Sequence, residues 1–513
     1  MEAKMTMKDD LRMLEQRRAK ALAMGSSSRL KEFHEAGVLN VRERIDYLFD
    51  DGSFTEHGLL ALPARKEDQD RAPGDGSVDG IGAINGRLSV INAADFSAMG
   101  ASSAEIAGLK MTHSRRTAKK NGIPLVMLCE CSGGRIPDIM GASGIHKTGE
   151  YFDLSHDRQI PIASAVLGQS YGGGTWRAVT SDFVVMRKGA VMAISSVNVT
   201  SVAISEDIDP QELGGWRMQT QVTGQADLAV DTDQEALDAI KNFLSYLPSH
   251  CGEAPPEIIS TPEMNQDQNT LLKLVPESRS KVYDVRKVVS IVFDRDSYFP
   301  IKERFARNLT TGLARLNGRS VGVIAPNPMF KGGALDSDAC DKAISFIALC
   351  DSFNLPIITL ADTPGFLVGV AGEKLRLPGK IMNYMQALHL TTVPKLSVIM
   401  RKSYGQAHLN MGAGVCDEMA AWVTADISFM DPNAAVNTVY RVREEDDPKR
   451  YDELVGQVMQ DSSAYDLASC FRAQTVLDPR ETRDWLTKML EVHRRRPTSG
   501  IGKHKLATWP TTF

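Results

Sequence analysis

The feature that most constrains this chain is that its two halves repeat one another. INGRLSVI (Ile84 to Ile91) is matched by LNGRSVGVI (Leu316 to Ile324), and NGIPLVML (Asn121 to Leu128) by FNLPIITL (Phe353 to Leu360). SYGGG (Ser170 to Gly174) is matched by SYGQA (Ser403 to Ala407). The offset is 232 between Gly86 and Gly318, 232 between Pro124 and Pro356, and 233 between Ser170 and Ser403. A register held over three anchors means a duplicated fold, so one architecture must serve twice. At 513 residues the chain has room for two large domains. The Pro-, Glu-, Asn- and Gln-rich stretch EAPPEIISTPEMNQDQN (Glu253 to Asn269) reads as the connection. This predicts domains over residues 1–252 and 271–513 with a linker over 253–270.

Both halves follow one local grammar. A Gly-Arg turn leads into a β-branched run, and a helical pattern follows over Ala104 to Lys120 or Ala339 to Ser352. A proline-led apolar strand comes next (Pro124 to Cys129, Pro356 to Ala361) and ends in a glycine turn, CSGGRIPD or DTPGFLVG. After a second helix, another apolar strand (Pro161 to Leu167, Pro394 to Met400) ends in the SYG turns. Strands alternating with helices, with glycines at the strands' carboxyl ends, predict an α/β fold whose working groups sit at those ends.

Glycines at a strand-to-helix turn aim backbone N–H groups into a pocket, where they bind phosphate or stabilise an oxygen that becomes negative. The turns carry no GxxxxGK[ST] phosphate loop and no GxSxG nucleophile elbow, and the chain has no HExxH metal motif. His113, His408 and Cys131 lie near the turns, where a lone histidine or a small buried thiol is more often structural than catalytic. What remains is a site that works through backbone electrostatics, by oxyanion or enolate stabilisation; for any single turn, tight strand-helix packing is the competing role.

Composition narrows the setting. A net charge of −5 leaves no basic footprint for nucleic acid or an anionic membrane, and no run approaches the roughly 20 apolar residues of a membrane span. The seven cysteines form no CxxC pair, which fits neither a zinc ribbon nor a disulfide framework and predicts a cytoplasmic protein with no metal in this chain. REEDDPKRYDE (Arg443 to Glu453) and HRRRP (His493 to Pro497) read as solvated segments.

Several of these stretches resemble the carboxyltransferase (β) subunits of biotin-dependent acyl-CoA carboxylases of the propionyl-CoA and methylcrotonyl-CoA type. In the first half they are VRERIDYLFDDGSFTE (Val41 to Glu56), CSGGRI (Cys131 to Ile136), GQSYGGGTWRAVTSDF (Gly168 to Phe183) and ELGG (Glu212 to Gly215). In the second they are FARNLTTGLARLNGRSVG (Phe305 to Gly322), GGALDSDACDKAISFIALCD (Gly332 to Asp351), DTPGF (Asp362 to Phe366), TVPKLSVIMRKSYG (Thr392 to Gly405) and LDPRETR (Leu477 to Arg483). The resemblance implies tandem crotonase-like domains, each a spiral of ββα units, the first holding acyl-CoA and the second carboxybiotin. It also implies a homo-hexamer, with biotin carried by a biotin carboxylase or carboxyl carrier subunit. In the implied mechanism the biotin ureido anion takes the α-proton of the thioester and the enolate attacks CO2, so no protein base is needed.

Residue by residue, the resemblance places Gly172 and Gly173 on the thioester oxygen and Gln406 and Ala407 on the ureido oxygen. It surrounds them with substrate-binding positions Gly133, Gly134, Arg135, Gly174, Trp176, Gly365, Phe366, Gly405 and Leu409. Leu409 suggests an acyl group without charge near that wall, and Trp176 and Trp216 a narrow thioester pocket. The chain departs from the family pattern at Gln406, where glycine is usual, and at LRLPGKI (Leu375 to Ile381), where the proline predicts a changed helix start. The alternatives are a biotin-independent acyl-CoA decarboxylase of the same fold and a non-catalytic paralogous subunit.

Overall fold

The computed structural model describes residues 6–151, 157–497 and 500–510, with no account of the side chains of 147–151. The chain divides into two compact units, Met1–Ser245 and Tyr246–Phe513. The stretch 253–270 belongs to the second unit, where Ile258 N–H donates to the Gly318 carbonyl (2.9 Å) and Glu257 bridges Arg319.

In the first unit a seven-stranded sheet runs Thr55–His57, Ser77–Ile84, Arg87–Ala94, Leu125–Leu128, Ile162–Val166, Phe183–Arg187 and Leu228–Val230 in spatial order. The first two pairings are antiparallel and the rest parallel. Leu125–Leu128 and Ile162–Val166 are buried along their whole length, as parallel strands covered on both faces must be. The core gathers Val90, Leu125, Met127, Ile162, Val184 and Met186. A separate two-stranded parallel sheet pairs Gln169–Tyr171 with Val191–Ala193.

The second unit repeats the plan. Its path is Phe299–Pro300, Leu309–Leu316, Arg319–Pro326, Ile357–Thr363, Lys395–Tyr404, Glu418–Trp422 and Thr475–Leu477. The hairpins Ser77–Ile84/Arg87–Ala94 and Leu309–Leu316/Arg319–Pro326 stand 232 residues apart with the same antiparallel register. Asn85 and Asn317 adopt positive φ (50° and 52°) in the matching turns, and Asp50 or Asp294 accepts hydrogen bonds from the two turn N–H groups. One difference matters below. The first unit breaks its strand at Leu167–Gly168, whereas the second runs Lys395–Tyr404 unbroken and pairs its far end with Asp426–Ser428.

The helices read from the sequence form as Glu105–Asn121 and Ser337–Ser352. Each carries a buried lysine at the matching position. Lys110 donates to the carbonyls of Gly74 and Ser77, and Lys342 to those of Phe305 (2.8 Å) and Leu309 (2.6 Å). Arg443–Glu453 enters the helix Pro448–Val458, which buries Tyr451 and Leu454. Pro378 occupies the second position of Leu377–Leu390, after Arg376 in the left-handed region. Among the described residues no helix is long and apolar enough to cross a membrane.

Candidate active site

The site is built where strands stop and glycines take over. In the first unit, Leu125–Leu128 runs out into Glu130–Arg135. Gly133 takes φ 116°, and its carbonyl accepts the Ser103 N–H at 2.8 Å. Gly134 bridges Ser103, and Cys131 pairs with Ser170. This brings the CSGG turn against SYGGG. Gly174 seals the contact, because a Cβ there would lie 2.8 Å from Cβ of Cys131 and 2.9 Å from the Cys129 carbonyl oxygen.

The second unit assembles the same parts. Gly365 takes φ 125°, its carbonyl accepts the Leu335 N–H at 3.0 Å, and Phe366 bridges Leu335. The Ser103–Gly134 and Leu335–Phe366 bridges are again 232 residues apart. Thr363 pairs with Ser403 across the ends of neighbouring strands, bringing DTPGF against SYGQA.

At the two SYG turns the backbone agrees closely. Gly172 has φ 56° and Gly405 φ 57°, a conformation glycine reaches without Cβ strain. Helices start at once, over Gly173–Val179 and Gly405–Asn410. Residues in a helix's first turn have no preceding helical carbonyl to bond, so Gly173, Gly174, Gln406 and Ala407 offer N–H donors. Gly172 is used differently from its neighbour, since its N–H donates to the Ala193 carbonyl at 3.2 Å. Gln406 escapes the strain a side chain would meet at positive φ because Gly405 carries that conformation. Its amide reaches along the helix to Asn410 Oδ1 (3.1 Å), and the residue is exposed. Ala407 is fully buried.

Each turn is anchored by a buried carboxylate just ahead of it, Glu130 or Asp362, 232 residues apart. Glu130 pairs with Arg44, which also holds Asp233 (2.9 Å). Asp362 accepts from Arg401 Nε (3.0 Å), the Tyr283 hydroxyl (2.9 Å) and the Lys402 N–H (3.2 Å). Burial pushes the Asp362 carboxyl above its usual range, against the pull of Arg401 and Lys402.

The other expected residues divide. Trp176 (45% exposed) and Leu409 (41%) stand at the surface. Trp216 packs partly against the core, stacked by Arg217 at 4.6 Å. Arg135 is only 3% exposed and is bound inward to Asp75 (2.5 Å) and Ser102 (3.1 Å), so its guanidinium holds the loop together. Cys131 is buried and shares a contact of 3.3 Å with Ser103 Oγ.

A cleft of about 540 Å³ opens beside the second turn, lined by Gly405, Gln406, His408, Leu409, Phe429 and Gln460 among others. His408 Nδ1 lies 2.9 Å from Ser403 Oγ, and burial lowers its pKa, so the ring is neutral at pH 7. In the first unit a cavity of about 50 Å³ is lined by Asn92, Met111, Asp138 and Arg177 among others. The sequence reading missed this cavity, although Arg177 stands inside the quoted SYGGGTWR stretch. Its partner Asn92 is 85 residues away, a distance no local pattern spans.

Comparison with known proteins agrees with this geometry. A carboxyl transferase domain model matches residues 32–506. The propionyl-CoA carboxylase carboxyltransferase subunit of Haloferax mediterranei is 34% identical over 96% of this chain and 98% of its own. The methylmalonyl-CoA decarboxylase subunit alpha of Veillonella parvula is 31% identical over 93% and 94%. The crystal structure of the transcarboxylase 12S hexamer, with methylmalonyl-coenzyme A and methylmalonic acid bound, superimposes with a TM-score of 0.90 at 30% identity, covering 96% of this chain and 97% of that one. The fold is therefore the crotonase-like carboxyltransferase fold, and this chain belongs to the carboxyl transferase family of enzymes that move carboxyl groups on acyl-CoA.

Proposed function

We propose that this chain moves a carboxyl group from carboxybiotin, carried on a separate partner chain, to the α or γ carbon of an acyl-CoA through a thioester enolate. The observation that carries the reading is the pair of matched glycine turns, alike in backbone to one degree of φ at Gly172 and Gly405. In the first unit, Gly172 fixes the turn through its φ and its bond to Ala193, and the Gly173 N–H stabilises the thioester oxygen as it becomes an enolate. In the second, the Gln406 and Ala407 N–H groups face the ureido oxygen. Bound biotin supplies the activated carboxyl group; this chain supplies fixed donors and a walled cleft. The cleft beside Gln406 fits such a group, since its volume lies in the range of small-molecule sites and its wall mixes Leu409 and Phe429 with polar Gln406 and His408. A cytoplasmic homo-hexamer with a biotin carrier partner completes the reading, supported by the hexameric 12S relative.

A second reading is decarboxylation without biotin; its decarboxylation half is favoured by the Veillonella relative, which is named a methylmalonyl-CoA decarboxylase subunit alpha. Incubating the pure protein with malonyl-CoA and methylmalonyl-CoA, with and without free biotin, separates the two. Acceleration by biotin is the expected result. Decarboxylation that biotin leaves unchanged across several acyl groups would remove biotin from the proposal.

A further inference from the structure

Behind the SYGGG turn of the first unit runs a polar relay that the second unit does not repeat. Asp79 and Asn92 face each other across the hairpin Ser77–Ile84/Arg87–Ala94 and are 1% and 3% exposed. One oxygen of Asp79 accepts from Ser77 Oγ (2.5 Å); the other accepts from Asn92 Nδ2 (2.6 Å) and Ser114 Oγ (2.9 Å). A carboxylate only accepts, so it draws the nitrogen of the Asn92 amide inward and turns the amide oxygen away. That oxygen accepts from Arg177 Nη1 at 3.1 Å, and Arg177 Nε donates to the Gly173 carbonyl at 3.1 Å.

The Gly173 carbonyl shares a planar peptide unit with the Gly174 N–H. Because C=O and N–H point opposite ways in that unit, a hold on the carbonyl fixes the direction of the N–H. A charged donor on the carbonyl also polarises the unit and strengthens the N–H as a donor. The neighbouring unit, which carries the Gly173 N–H, is held by the Trp176 N–H on the Gly172 carbonyl at 3.0 Å. Two glycines in succession leave the backbone between these units with no side chain to restrict it, so an outside hold has work to do there.

The duplicated half supplies the comparison. Thr311 and Ile324 pair there in the register of Asp79 and Asn92, while Phe346 and Asn410 stand at the positions of Ser114 and Arg177. The hairpin, the buried Lys342 and the SYG turn all form in that half without the relay, so the fold alone does not demand it. The second turn, with Gln406 in place of Gly173, is tied instead by Gln406 Nε2 donating to Asn410 Oδ1. Both turns are thus braced between residues four apart, the first from side chain to main chain and the second from side chain to side chain. We infer that Arg177 is a positioning residue: it aims the Gly174 N–H to join that of Gly173 at the thioester oxygen, with Asn92 and Asp79 setting the direction of the guanidinium. The inference rests on reading the first turn as the thioester oxyanion site.

Steady-state decarboxylation of malonyl-CoA and methylmalonyl-CoA by the intact protein, with free biotin present, tests this. A donor that matters only as the oxygen becomes negative acts on kcat and not on KM. Arg177→Met is expected to lower kcat about tenfold or more while KM stays within about threefold. Arg177→Lys should recover part of the loss, since one ammonium reaches the carbonyl or Asn92 but does not fork between them. Asp79→Asn, which touches neither the turn nor the thioester, is expected to lower kcat about threefold or more in the wild type and to add nothing in Arg177→Met. If Asp79→Asn does not fold, Asn92→Ser takes its place in the cycle with the same expected outcome. A merely structural relay would shift melting temperature and leave kcat per folded molecule unchanged. A folded Arg177→Met protein with kcat within about threefold of wild type overturns the inference, as does a loss confined to KM, or an Asp79→Asn loss that persists undiminished in Arg177→Met. Wild-type protein that turns over neither thioester, with or without biotin, overturns the proposed function and this inference with it.

Discussion

Gly173 stands at the first position of its helix, a position that tolerates proline because the missing N–H has no intrahelical acceptor. Gly173→Pro therefore deletes one donor with little cost to the helix, and turnover is expected to fall about a hundredfold or more, as for other oxyanion donors. Steady-state kinetics checks this, and a change of only a few-fold would return the turn to a packing role. Gly405 differs in kind. Its φ is 57°, and a Cβ there would meet the Phe429 carbonyl oxygen at 2.9 Å. Gly405→Ala is expected to cost about 1–2 kcal/mol in urea unfolding, through backbone strain. His408 adds a pH dependence. Its pKa is lowered in the fold, so the unfolded chain binds more protons near pH 6, and its contribution is complete above about 6.5 and lost as pH falls through the folded value. The urea midpoint of the wild type should drop more between pH 7.5 and 5.5 than that of His408→Gln.

At the level of elements, the glycine turns depend on the buried ion pairs ahead of them. Arg401→Met leaves the buried Asp362 carboxyl without its ion-pair partner, and is expected to destabilise the protein by about 3–5 kcal/mol. Adding Asp362→Asn should recover much of that loss, a coupling that a double-mutant cycle measures. Much of this layer was legible in the sequence. The proline-led strands, the glycine turns and the helix that starts at Leu377 with Pro378 in its first turn lie where local pattern puts them, because each is decided by neighbours a few residues apart. The anchors were not. Arg44–Glu130 spans 86 residues and Arg401–Asp362 spans 39. Nothing local marks Lys110 and Lys342 for burial either. They are buried because loop carbonyls far along the chain need donors, a demand visible only once the strands are placed. Likewise nothing in SYGGG announced that the Gly172 N–H is taken by Ala193, which arrives through a separate small sheet.

For the whole molecule, the duplication was legible because it repeats at long range in sequence as well as in space. The boundary between the halves is a proposal that truncation tests. The contact division falls at Tyr246, whose hydroxyl donates to the Ser297 carbonyl at 2.6 Å and whose ring stacks on Phe299 and beneath Arg315. A fragment beginning at residue 253 loses all three contacts. A fragment of residues 246–513 is therefore expected to melt several degrees above one of residues 253–513, with calorimetry as the measurement. The two units also divide their labour asymmetrically. The first breaks its strand at Leu167–Gly168, whereas the second carries Lys395–Tyr404 unbroken to the edge of an open cleft.

The donors at the two SYG turns belong to the main chain, and this has a pharmacological consequence. A peptide N–H does not titrate in the working range of pH, does not oxidise, and offers nothing for alkylating or acylating reagents to capture. Group-specific chemical modification should therefore leave these donors untouched. On the proposed reading, an inhibitor would have to compete by geometry, placing an anionic oxygen before each turn.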